Sequence, residues 1–150
     1  MYARLAVPML VWGTVNPVGE SSNYKGFYLT RDDIRHCLAD GGITGKPVKI
    51  EHKGSDVGVV ISAWQNTRGQ LDCLLEVTQD NLEGAVISRF VDNGVCRELS
   101  LGYTVDVRHS DRGVAATNKR VVEVSIVKKG ARNSCHIHGF TSADSKRRRL

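Results

Sequence analysis

Short apolar runs broken by turn residues constrain this chain more than any other feature. Leu5–Val15, Val48–Glu51, Val57–Trp64, Leu71–Thr78, Cys96–Val107 and Arg120–Val127 are apolar runs with many β-branched residues, and His136–Phe140 adds a last short one. Runs of this kind, bounded by Gly, Asn, Asp and Ser clusters, read as strands. Asn66–Gly69 between two of them is a hairpin signal. Two segments carry helix signals instead. Thr30 has the character of an N-cap, with Asp32 and Asp33 in the first turn, a stripe of Ile34, Cys37 and Leu38, and a Gly41-Gly42 stop. Asn81 opens a second helix that runs through Leu82, Ala85, Val86, Phe90 and Val91 to Gly94. The helices do not alternate regularly with the strands. The expected fold is therefore mostly β with short helices (α+β): a closed or nearly closed antiparallel β-barrel with helices packed outside. Asn16–Tyr24, His109–Asn118 and Gly130–Ser134 read as loops. Residues 1–140 read as one domain and 141–150 as a tail.

A chain of 150 residues can bury a full core without metal or disulfides. Cys37, Cys73, Cys96 and Cys135 show no paired spacing, so reduced and mostly buried thiols are expected. No run is long enough to span a bilayer, and Met1–Pro8 lacks the pattern of a secretory signal. The net charge of +5 is concentrated in Lys146-Arg147-Arg148-Arg149, and the rest is close to neutral. That tail fits a solvated end, an import signal or a linker, and it argues only weakly for nucleic-acid binding.

Three residues stand out for chemistry. Ser100 lies between Leu99 and Leu101 in an apolar strand. A serine there is ordinarily structural, and becomes a nucleophile only if a base takes its proton. Gly102, two residues on, leaves the same strand face open to an approaching peptide carbonyl. His52 ends the run Val48-Lys49-Ile50-Glu51. Its ordinary reading is a surface histidine, but it is the natural base because histidine titrates near neutrality. Glu123 lies among Val121, Val122, Val124 and Ile126. Either it alternates outward with Ser125, or it is a carboxylate that fixes the tautomer of His52. His36 and His109 read as surface residues. Cys135, His136 and His138 lack a second pair at zinc-like spacing, and in a strand Cys135 would face away from both histidines, so no metal and no cofactor is expected.

Together these segments resemble the capsid maturation proteases of herpesviruses (assemblins) and the prohead proteases of tailed phages. The herpesvirus pattern is matched by Ile50-Glu51-His52 and Val57-Gly58-Val59-Val60. The phage pattern is matched by Leu99-Ser100-Leu101-Gly102-Tyr103 and Glu123-Val124-Ser125-Ile126-Val127. Where the herpesvirus enzymes carry a third-member histidine, this chain has Glu123, which moves the triad toward the phage type. Their Gly-Arg-Arg loop corresponds to Gly130-Ala131-Arg132, and the resemblance gives Ala131 and Arg132 the oxyanion role. The third member stays open between Glu123 and a histidine such as His136 or His138.

The resemblance implies a serine endopeptidase that cleaves scaffold protein and itself during capsid assembly, with Ser100, His52 and Glu123 as its triad. It implies scaffold and capsid shell as partners, a homodimer as one expected state, and no membrane or specific nucleic acid. The location would be the procapsid, in the host nucleus if herpesvirus-like and in the cytoplasm if phage-like. Ser142-Ala143-Asp144-Ser145 would lie near a release site or begin a linker to a scaffold region. The alternatives are a basic β-barrel that binds nucleic acid without enzymatic activity, and a structural capsid or scaffold component.

Overall fold

The computed structural model describes residues 7–18, 29–39, 41–129 and 135–141. Gly130, Ala131, Arg132, the expected loop around them, most of the tail and most of the Asn16–Tyr24 loop lie outside the described residues. In chain order the elements are β1 (Met9–Asn16), α1 (Arg31–Ala39), β2 (Pro47–Ile50), β3 (Lys53–Gln65), β4 (Leu71–Val77), α2 (Leu82–Asp92), β5 (Glu98–Ser110), β6 (Gly113–Val127) and β7 (Ile137–Phe140).

Both helices begin where capping chemistry places them. Thr30 Oγ1 accepts from Asp33 N–H at 3.1 Å, and Asp33 Oδ2 accepts from Thr30 N–H at 2.8 Å. That reciprocal pair satisfies two N–H groups that a helix start leaves unpaired. Asn81 Oδ1 accepts from Gly84 N–H at 2.7 Å at the start of α2. Gly41 and Gly94, with φ of 64° and 79°, follow the two helix ends, where a left-handed residue reverses the chain. Among the described residues no helix is long and apolar enough to cross a membrane.

The strands form one seven-stranded sheet in the order β5-β6-β2-β3-β4-β1-β7. Met9, Val11, Val48, Val60, Leu75, Leu99, Val124 and Ile126 belong to one buried cluster, which Ile34 of α1 and Ile87 of α2 join. The Val-Gly-x-Val glycine has a packing role: a Cβ at Gly58 would run into the Glu76 carbonyl of β4. All four cysteines are buried. Burial, reinforced by Asp72, pushes the Cys73 thiol up to about 12.

Two parts of the expected fold are corrected. The sheet is mixed, not antiparallel throughout, because β2 pairs with β6 in parallel. β2 and β6 are far apart in sequence, and parallel neighbours need such a long crossover, so local turn signals could not reveal the pair. Nor does the sheet close into a barrel. Among the described residues its edges, β5 and β7, meet at a single bridge between Glu98 and His136. Leu99 N–H bonds Cys135 C=O at 3.0 Å there, and Ile137 N–H bonds Arg97 C=O at 2.8 Å. β7 has 4 residues against 13 in β5, so most of β5 has no β7 residue to pair with.

His109–Asn118, expected as a loop, is mostly strand. β5 and β6 continue as a two-stranded ribbon that reverses between Ser110 and Gly113. Most of the ribbon is exposed, so no apolar alternation marks it in the sequence.

Candidate active site

The site is built where β5, β6 and the β2–β3 turn converge. On the paired strands Ser100 stands opposite Ser125, and Gly102 opposite Glu123. Cross-strand partners share a face, so Ser100, Ser125 and Glu123 project to one side of the sheet. Leu99, Val124 and Ile126 point to the other side and are fully buried in the core. β2 runs beside β6, with Lys49 level with Ser125 and Ile50 with Ile126. Ile50 then pairs with Lys53, so Glu51 and His52 form a two-residue turn.

Both turn residues are left-handed, Glu51 at φ 52° and His52 at φ 62°. The mirror image of a type I turn requires positive φ at both positions and favours Gly or Asn there. With side chains present the conformation costs about 1–2 kcal/mol per residue. The neighbouring strand supplies bonds that oppose this cost. Glu51 N–H bonds Ile126 C=O at 3.3 Å, Lys128 N–H donates to Glu51 Oε1 at 2.8 Å, and His52 N–H donates to Ser125 Oγ at 2.9 Å.

The turn lays the imidazole between the two strands. His52 Nε2 is 2.8 Å from Ser100 Oγ. On its other side, Nδ1 makes a short hydrogen bond with Glu123 Oε1. A carboxylate can only accept, so Nδ1 carries the proton and Nε2 is left to accept from the Ser100 hydroxyl. The His52 side chain is 41% exposed and that of Glu123 9%. Ser100 is buried beneath the ring, at 4%. The bond to Glu123 raises the His52 pKa above the ordinary histidine value, burial opposes this, and the fields of Glu123 and Glu51 add to the rise.

Of the candidate third members, the one that meets His52 is Glu123. His138 lies instead 3.2 Å from Thr14 Oγ1, and His136 stands at the edge bridge opposite Glu98. Gly102 has a different part from the one expected. The space over it is filled by Glu123, whose carboxylate a Cβ at Gly102 would strike. The glycine makes room for the acid. Of the two readings of Glu123 and Ser125, the outward-facing one fails: both are buried.

No family model matches this sequence, and no curated protein does. Solved structures do match its fold. Kaposi's sarcoma-associated herpesvirus protease, in complex with a hexapeptide phosphonate inhibitor, superposes with a TM-score of 0.61 at 19% identity, over 87% of this chain and 63% of that one. This chain thus spans less than two thirds of the length of that protease. The same enzyme with an allosteric inhibitor gives 0.57 at 18% identity, over 89% and 78% of the two chains. With a dimer disruptor it gives 0.56 at 16% identity, over 91% and 77%.

The chain has the herpesvirus protease fold. Within that fold, sequence reasoning gave Ser125 no part in the site. Its signal was present, in a serine two places from Glu123 on a strand, which puts both on one face. Gly130, Ala131 and Arg132 follow directly on Lys128-Lys129, and Lys128 is tied to the His52 turn through Glu51. Among the described residues no group of three His, Cys, Asp or Glu side chains could hold a metal ion.

Proposed function

We propose that this chain is a serine endopeptidase of the capsid-maturation kind, with Ser100 as nucleophile, His52 as general base and Glu123 as the acid that orients it. The observation that carries the reading is the continuous hydrogen-bond chain from Ser100 Oγ through both ring nitrogens of His52 to Glu123. His52 Nε2 takes the proton of Ser100 as Oγ bonds to a peptide carbonyl carbon, and the carbonyl electron pair moves onto its oxygen. The tetrahedral species collapses, the C–N bond breaks, and the proton on Nε2 passes to the leaving amine. Water then repeats the cycle on the acyl-enzyme, with the same base. Throughout, Glu123 holds the Nδ1 proton and stabilises the imidazolium.

By resemblance, main-chain N–H groups around Gly130, Ala131 and Arg132 receive the oxyanion, a contribution of roughly 3 to 4 kcal/mol per donor. The same resemblance names scaffold protein, the capsid shell and the chain's own C-terminal region as partners or substrates. It places the enzyme in the procapsid, in the host nucleus for a herpesvirus type and in the cytoplasm for a phage type. It also makes a homodimer the expected assembly, with which the dimer disruptor bound by the Kaposi's sarcoma-associated herpesvirus protease is consistent.

The test is active-site labelling. A fluorophosphonate probe should modify Ser100, as peptide mapping would show, and Ser100→Ala should lose labelling and cleavage by on the order of 10^4-fold or more with its melting temperature preserved. Undiminished cleavage by Ser100→Ala would sink the assignment of the nucleophile, and a wild-type chain that neither takes the label nor cleaves would leave a non-enzymatic capsid component as the better account.

A further inference from the structure

Ser125 is fully buried on β6, level with Ser100 across the ladder and two residues from Glu123. Its hydroxyl donates to Glu123 Oε2 at 2.7 Å and accepts from the main-chain N–H of His52 at 2.9 Å. A hydroxyl has one proton to give, and Oε2 takes it, which leaves the lone pairs for the His52 N–H. The other carboxylate oxygen, Oε1, meets His52 Nδ1. The three residues therefore close a ring of hydrogen bonds that His52 enters twice, through its backbone and through its imidazole.

The ring answers two freedoms that would spoil the geometry. The terminal torsion of a glutamate is broad, so a carboxylate held by one oxygen can swing. Ser125 ties down the second oxygen. The turn carrying His52 is left-handed at two consecutive side-chain-bearing residues and would relax if released. Glu51 is held by Ile126 and Lys128, whereas the bond on the His52 backbone goes to Ser125.

We propose that Ser125 is a positioning residue. It locks the Glu123 carboxylate and the His52 main chain to one another, so that the imidazole meets Ser100 in a single tautomer and orientation. This rests on the catalytic reading of Ser100, His52 and Glu123, and Ser125 itself touches no reacting atom. Its effect reaches the pH profile, because the Glu123 bond is the largest influence raising the His52 pKa. The charged groups acting on His52 are Glu123 on β6 and Glu51 in its own turn.

The experiment follows the rate of fluorophosphonate labelling of Ser100 against pH in the full chain. In Ser125→Ala the plateau rate should fall roughly 10- to 100-fold. The midpoint of the acid limb should also move down toward the ordinary histidine value. Ser125→Thr keeps the hydroxyl and should retain both plateau and midpoint, while Ser125→Val, the same shape without it, should behave like the alanine variant. An unmoved midpoint in the alanine variant, or equal behaviour of the threonine and valine variants, would overturn the proposal, and the second comparison decides if the alanine variant does not fold. Hydrogen exchange of the wild-type His52 amide gives a readout free of catalysis. Strong protection is expected, and exchange as fast as that of an exposed turn overturns the proposal whatever the variants do. A wild-type chain that is not labelled at Ser100 refutes the catalytic reading instead, and the exchange result still decides the clamp.

Discussion

At the scale of single residues, the site depends on one backbone conformation and one missing side chain. His52 reaches both Ser100 and Glu123 from a turn that favours glycine, and Glu123 fits only because Gly102 has no Cβ. The acid then sets the titration of the base. On the proposed roles attack needs neutral His52, so labelling of Ser100 should rise with pH through the raised pKa of this histidine. In Glu123→Gln the bond and the charge that raise it are removed, and the limb should move to lower pH. The plateau should nevertheless fall on the order of 10^3- to 10^4-fold, since the amide can present its N–H to the ring and favour the wrong tautomer. A labelling profile of the variant that keeps the wild-type midpoint would show that Glu123 does not govern His52. The same linkage bears on stability. A folded-state pKa above the unfolded value gives a contribution that is complete below the unfolded value and is lost as pH rises through the folded one. Ser100 and His52 were legible in the sequence because a polar residue in or ending an apolar run is conspicuous. Glu123 was only half legible. Alternation along β6 allows either face, and what buries that face is the β2–β3 turn, which comes from a distant part of the chain.

At the scale of elements, what the sequence revealed were the pieces whose ends are marked chemically. Asn81 with Gly94, and Thr30 with Gly41, bracket the two helices, and Asn66 orders the β3–β4 turn by accepting from Arg68 and Gln70 N–H at 2.9 Å and 3.0 Å. The parallel β2–β6 pair and the β5–β6 ribbon had no such marks. The first is a non-local contact, and the second is held by backbone bonds between largely exposed strands. α2 contributes Ile87 and Val91 to the core but no side chain to the hydrogen-bond chain of the site. Loss of its cap should therefore separate stability from function. Asn81→Ala removes the acceptor for Gly84 N–H and should cost about 1 kcal/mol. In a chain of this size that lowers the melting temperature by roughly 2–4 °C. Calorimetry should register the loss while the rate of Ser100 labelling, measured well below the transition, stays at its wild-type value. A labelling rate that falls with the cap would mean that α2 bears on the site.

At the scale of the whole molecule, an open sheet with unequal edges leaves one part outside the core. From Gly102 to Arg120 no residue of the β5–β6 ribbon is buried, whereas the residues on either side, Leu101 and Val121, are. The ribbon is anchored at its base, where Lys119 Nζ pairs with Asp33 Oδ2 at 2.7 Å and the Lys119 carbonyl lies 3.5 Å from Cys37 Sγ. Both contacts tie β6 to α1 and lie beyond the outer part of the ribbon. The proposed triad lies on the core side of the anchor, with Ser100 and Glu123 on the stretch of ladder that also buries Leu99, Val124 and Ile126. Fold and site should thus be independent of the ribbon's outer part. Replacing residues 107–116 by a two-residue Asn-Gly turn keeps the pair Asp106 and Thr117 at the new hairpin end. The shortened chain should melt within a few degrees of the full one, because surface changes away from packed groups usually alter stability by about 0.5 kcal/mol or less. Its Ser100 labelling should match the full chain in rate and in pH midpoint. Loss of folding would show that the ribbon supports the sheet after all. Loss of labelling in a folded chain would place the ribbon within the catalytic unit.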